Sequence, residues 1–148
     1  MSDNFKALVL NQEGDNFTRE IKSVNKEFLK HGDVLVKVEY SGLNYKDALI
    51  LKNGARLVKE FPHILGVDFY GTVAEADSSN FKEVGDIICT GMRVADALYG
   101  AFSHYANIES HFIIKKPKLI STRRAIVLGT AGFPALQCSF TTKQTKEI

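Results

Sequence analysis

The chain has 148 residues, 45% hydrophobic and 24% charged, with a formal net charge of +2. That length suits one domain whose core is large enough to fold without staples, and the composition is that of an ordinary soluble globular protein. The charge is too small, and the basic residues too scattered, for a nucleic-acid partner; the densest basic run, Lys115-Lys116-Pro117-Lys118, reads as a solvated turn after a strand.

Phe5 to Leu10 alternates loosely and pairs naturally with Phe17 to Val24 as an opening antiparallel hairpin, with Asn11 to Asn16 as the connecting turn. After a second turn at Lys30 to Asp33, Val34, Val36, Val38 and Tyr40 alternate with Leu35, Lys37, Glu39 and Ser41, the period of a half-buried strand. Asn44 is placed to cap the next element, its side-chain oxygen accepting an orphan N–H. The helix that follows carries Ala48, Leu49 and Leu51 as an apolar face, with Gly54 as its stop and Ala55 to Glu60 as a loop. Phe61-Pro62 breaks any helix, because proline disfavours the α region for the residue before it.

Gly66 to Val73 reads as a turn and a strand, Gly85-Asp86 opens another at Ile87 to Thr90, and Ala101 to Ile108 and Phe112 to Lys115 are the last strand candidates. Ser121 caps a helix beginning Thr122-Arg123-Arg124-Ala125, and Gly129-Thr130-Ala131-Gly132 interrupts the apolar run after it. Many short strands separated by turns predict a mainly β fold, barrel-like, with a few short helices. Repeats, low-complexity linkers and apolar stretches of membrane-span length are lacking, so no membrane partner is expected. Cys89 and Cys138 lie far apart among apolar neighbours and predict buried, inert thiols in a reducing, cytoplasmic compartment. The start, MSDNFKALVLN, has neither the basic nor the apolar region of a signal peptide.

Five stretches in order carry a resemblance. They are Ser41 to Asp47 (SGLNYKD), Phe61 to Val73 (FPHILGVDFYGTV), Gly85 to Ile88 (GDII), Gly100 to Ala106 (GAFSHYA) and Gly129 to Ala135 (GTAGFPA). Each is weak alone; together, over residues 5 to about 136, they resemble the zinc-free medium-chain dehydrogenase/reductases, the quinone oxidoreductases and above all the acryloyl-CoA reductases. The resemblance implies a GroES-like, partly open β-barrel over residues 1–136, followed by a divergent polar tail, 137–148, that has lost the apolar helical period. It further implies an NADPH-dependent reduction of an activated double bond or a quinone, on a small-molecule substrate, and leaves room for a homo-oligomer.

By the same resemblance Asn44, Tyr45, Asp47 and Asp68 belong to the catalytic site, and Asn44, Tyr45 and Thr130 face the cofactor. Arg56 and Lys59 are placed to meet the phosphates of a coenzyme A thioester. Residue types alone favour plainer roles: an N-cap, a packed ring, a first-turn carboxylate and two solvated loop charges. Zinc enzymes of the superfamily read G-x-C-H-x-D where this chain has Gly42 to Asp47, and His-Glu where it has Val67-Asp68. Asn44 and Val67 at the ligand positions imply no metal, and Asp68 is expected to be a buried, paired carboxylate that shapes the cleft. His31, His63, His104 and His111 have no metal spacing and suit surface or strand positions.

Family enzymes continue past Gly132 into a Rossmann domain with a Gly-rich pyrophosphate-binding turn, which this sequence lacks. Pro134 also replaces a threonine that the family places near the cofactor. The sequence therefore reads as a truncated or frameshifted member, expected to bind no NADP alone and to expose an apolar patch around its cleft. The competing readings are a non-catalytic barrel, either an interaction module or an inactive fragment, and a co-chaperonin subunit, which would share the barrel without explaining NYKD or GTAG.

Overall fold

The computed structural model describes residues 4–29, 32–53, 58, 60–77, 86–89 and 100–144. The opening hairpin is β1 (Asn4–Glu13) and β2 (Asn16–Asn25), paired antiparallel from Asn4↔Asn25 to Glu13↔Asn16. The turn is only Gly14-Asp15, with Gly14 at φ 60°. Asn11 to Glu13, read as turn from their composition, are thus strand: two residues suffice when a glycine takes the left-handed conformation.

Next come β3 (Val34–Gly42), α1 (Tyr45–Asn53), β4 (His63–Ile64), β5 (Asp68–Ala76), β6 (Asp86–Cys89), β7 (Tyr105–Ile108) and β8 (Ile113–Lys115). Two short helices close the described chain, α2 (Thr122–Leu128) and α3 (Gly132–Gln144). The strands form two open antiparallel sheets, β2-β1-β4 and β7-β3-β5-β6-β8. Backbone bonds stitch them together along residues 100–104: Gly100 N–H donates to Ile64 O (2.6 Å), Phe102 N–H to Leu65 O (2.7 Å) and Leu8 N–H to Phe102 O (2.8 Å). A Cβ on Gly66 (φ 114°) would stand 2.7 Å from Ala101 N, so only glycine permits this approach. The result is the mainly β, partly open barrel that the sequence predicts.

The core has an inner and an outer layer. Val34, Val36, Phe69, Ile87, Ala106 and Ile108 pack within the larger sheet, and Phe5, Ala7, Val9, Val24, Leu35 and Ile64 fill the space between the sheets. β3 is consequently buried on both faces at its start, with Leu35 as buried as its valines. Tyr40, expected inward, is 59% exposed; the register shifts between Val38 and Tyr40 and turns it to the rim, beside Tyr70. On α1 the buried residues are Asp47 and Ile50, with Ile50 against Leu10 and Leu65. Ala48, read as part of the apolar face, is exposed. The α1 C-terminus is held by Arg19, whose guanidinium donates to Lys52 O at 2.7 Å.

Ser121 caps α2 as expected, its hydroxyl accepting from Arg124 N–H. The expected tail begins inside α3, which stays helical to Gln144. Phe133, Leu136 and Phe140 on this helix are exposed. Cys138 lies on this helix and is an exposed thiol outside any disulfide, not a buried one. The side chain of Cys89, and the expected features at His31, Gly54, Arg56 and Lys59, lie outside the described residues.

His63, on strand β4, is fully enclosed. Burial disfavours its charged form and lowers its pKa from 6.5 to about 4. The unfolded chain therefore binds a proton from pH 6.5 downward that the folded chain refuses until about pH 4. Stability is expected to fall over that window by up to about 3 kcal/mol. Urea unfolding at stepped pH should show the slope, and His63→Gln should flatten it; an unchanged slope in the variant would assign it elsewhere.

Candidate active site

Strand pairing brings the candidate residues together. β3 ends at Gly42 opposite Asp68, the first residue of β5, so Asn44 at the mouth of α1 arrives beside the Asp68 side chain. α2 packs on β5 through Ala125 and Tyr70, which delivers the turn at Gly129-Thr130 to the same point.

Asp68 is 3% exposed and accepts three described hydrogen bonds. Asn44 Nδ2 and Thr130 N–H both donate to Oδ2 at 2.8 Å, and Thr130 Oγ1 donates to Oδ1 at 2.5 Å. A buried carboxylate needs such donors, since desolvation without them would cost several kcal/mol. The expectation that Asp68 is a buried, paired carboxylate holds. The amide orientation of Asn44 follows, because an ionised carboxylate only accepts and so draws the nitrogen.

Asn44 consequently does not cap α1 through its side chain, as residue type alone suggested. The cap runs the other way: Asp47 Oδ2 accepts from Asn44 N–H at 2.8 Å, half of a capping box. Asp47 is completely buried, and its Oδ1 has no hydrogen-bond partner. Burial raises its pKa above the ordinary 3.8 and the nearby Asp68 charge adds to that, while the Asn44 and Gly66 amides oppose it.

Tyr45 is 77% exposed and Leu43 79%, so neither enters the hydrophobic interior. Val127, Phe133 and Phe140 are exposed as well. An apolar groove of about 310 Å³, lined by Ile114, Ile120, Leu128 and Phe133, shares Gly129 with the Asp68 cluster. Sequence reasoning missed Ser41, whose hydroxyl donates to Ala101 O, and Gly42 and Gly129, which flank Asp68. The glycines stood within the quoted motifs, but only the fold shows what they make room for. Arg56 and Lys59 lie outside the described residues.

Among the described residues no three His, Cys, Asp or Glu side chains gather as a metal site, and no helix is long and apolar enough to cross a membrane. Elemental analysis of purified protein is expected to find no stoichiometric zinc; about one tightly held zinc per chain would overturn that. For Asp47 the sign is set by its raised pKa: the folded state holds the proton more tightly, so this carboxylate loses stability as pH rises from 3.8 through the raised value. Asp47→Asn should therefore gain on the wild type between pH 4 and 7. Asp47→Ala, which loses the cap, should cost about 1 kcal/mol at pH 4 and less at pH 7, where the wild type has already lost stability at this carboxylate. Urea midpoints of the three proteins at both pH values decide it.

Residues 30–118 match the Alcohol dehydrogenase GroES-like domain family. The chain is 37% identical over 134 residues to acrylyl-CoA reductase AcuI of Ruegeria pomeroyi, covering 89% of this chain and 41% of that protein. It is 38% identical over 135 residues to the putative quinone oxidoreductase YhfP of Bacillus subtilis, covering 91% and 41%. The yhdH oxidoreductase of Salmonella enterica, solved in complex with NADP, superposes with a TM-score of 0.84 at 32% identity, over 94% of this chain and 43% of that one. Bacillus subtilis yhfP with NAD bound gives the same TM-score at 36% identity, over 97% and 44%. The chain thus spans about two fifths of the length of these relatives. With the family's domain matched over most of the sheets and the fold shared with these oxidoreductases, the chain belongs to the Alcohol dehydrogenase GroES-like domain family.

Proposed function

We propose that this chain is the substrate-side domain of an NADPH-dependent reductase acting on an activated double bond of the acryloyl-CoA kind, with quinones as the second substrate class. The observation that carries this reading is the Asn44–Asp68–Thr130 cluster, with Tyr45 exposed beside it. Neutral hydrogen-bonding groups held by a buried charge suit a nicotinamide ring and a carbonyl, which need orientation rather than a proton donor of shifted pKa. When bound, NADPH supplies the hydride. Asn44 and Tyr45 orient the reacting partners, Thr130 lies toward the cofactor, and Asp68 and Asp47 hold Asn44 in place. Arg56 and Lys59 meet the thioester's phosphates.

These residues make only one wall of a cofactor site. Such a site also needs a Gly-rich turn between a strand and a helix to hold the pyrophosphate, and side-chain contacts alone do not replace one. The second reading is a non-catalytic domain, an interaction module or an inactive fragment. A reducing, cytoplasmic setting accords with either reading and with the exposed Cys138 thiol, which is in no disulfide.

Isothermal titration of the pure chain with NADPH is expected to give no measurable binding, and acryloyl-CoA or a quinone no NADPH oxidation. Joining residues 1–136 to the remainder of a relative should restore turnover, and Asn44→Ala in that chimera should cost roughly a hundredfold. A folded chimera without activity would sink the reductase reading. Micromolar NADPH binding by the chain alone would show that the cofactor site is assembled otherwise, for instance between chains.

A further inference from the structure

Asp68 Oδ2 takes both the Asn44 amide and the Thr130 N–H, so whatever fixes that single oxygen fixes the site. The nearest structural neighbour of this oxygen is an absence. A Cβ built on Gly129 would stand 2.6 Å from Asp68 Oδ2 and 3.0 Å from its Cγ, and one on Gly42 would stand 3.2 Å from Asp68 Cβ. The carboxylate thus lies in a slot between two residues that have no side chain.

We propose that Gly129 is a positioning residue of the site, the gap it leaves being what lets Asp68 reach Asn44 and Thr130 together. A methyl group at position 129 would collide with the very oxygen that accepts both bonds. Asp68 has two side-chain torsions and no slack along the strand, so it would yield by rotating the carboxylate. Rotation moves Oδ2 off Asn44 and Oδ1 off Thr130 at once. At Gly42 the contact is looser, 3.2 Å, and a methyl there would require Asp68 Cβ to give by a few tenths of an ångström, so it ranks second. The functional meaning of this arrangement rests on Asn44 and Thr130 facing the cofactor, as proposed above; the arrangement itself does not.

One further contact must be separated. The same added Cβ would lie 3.0 Å from Ile126 O, a backbone cost that has nothing to do with Asp68. A double-mutant cycle isolates the coupling. Urea midpoints are compared for the wild-type chain, Gly129→Ala, Asp68→Ala and the double variant. The midpoint shift caused by Gly129→Ala is expected to shrink to less than half in the Asp68→Ala background. Equal shifts in both backgrounds would overturn the proposal.

The second readout is spectroscopic. In ¹⁵N-labelled chain, Gly129→Ala should move the Asn44 side-chain amide and the Thr130 backbone amide, and speed their hydrogen exchange roughly tenfold. Amides of the β1–β2 hairpin should stay in place. Wild-type positions for both signals in a folded Gly129→Ala protein would refute the assignment. If Gly129→Ala does not fold, folding of the double variant supports the proposal and its failure overturns it. Neither readout uses NADPH, so a failed cofactor experiment leaves this result standing, and the converse holds too.

Discussion

An ionised carboxylate buried at the rim of an open β-sheet must find hydrogen-bond donors, and in this protein that requirement gathers the site. Asp68 opens β5, Asn44 precedes α1, and Thr130 joins α2 to α3. Three segments distant in sequence converge because each brings a donor to one anion. Burial makes the demand strict: a lost donor leaves desolvated charge, a larger penalty than the net worth of the bond. Asp47 stands close behind and repeats the pattern less completely, with one oxygen capped by Asn44 N–H and the other unsatisfied. Burial raises the pKa of Asp47, and the neighbouring Asp68 adds to that.

The sheets place that anion. Residues 100–104 run between β4 and β1, and the Gly66 approach to Ala101 lets backbone meet backbone without side chains between them. This stitch fixes where the chain emerges at Val67, with its side chain fully buried, and so fixes Asp68 one residue on. α2 then rests on β5 through Tyr70 and Ala125, carrying Gly129 to the carboxylate. The site is therefore rigid on its sheet side and rests on a short helix on the other.

Much of this was legible in the residues. The presence of the β3 strand, the hairpin pairing and the Ser121 cap are local properties, set by residue pattern and by a side chain reaching its own backbone. What was misread depended on distant partners. Asn44 was free to cap α1 by type, but Asp68, 24 residues away, claims its amide. Leu35 is buried because a second sheet covers it, and Tyr40 is exposed because a register shift turns it. Cys138 has apolar neighbours in sequence and is nonetheless exposed. Asp68 itself was anticipated as buried and paired only through the family resemblance; no periodicity singles it out.

The comparison with zinc-binding members of the superfamily gives the cluster its physical sense. Those enzymes resemble this chain over the same two segments but carry a metal-binding Cys where Asn44 stands and His-Glu where Val67-Asp68 stand. Here a hydrogen bond of 2.8 Å from Asn44 to Asp68 ties the start of the helix to the start of the strand. The exchange changes what the site offers chemically. A metal polarises a bound oxygen as a Lewis acid, whereas an amide pinned by a carboxylate offers fixed dipoles and no open coordination position. Fixed dipoles serve reactions in which the cofactor carries the difficult step and the protein orients. In the proposed reductase, the tighter the amide is held, the less reorganisation the reaction would demand, and the space at Gly129 would then bear on chemistry as well as on packing.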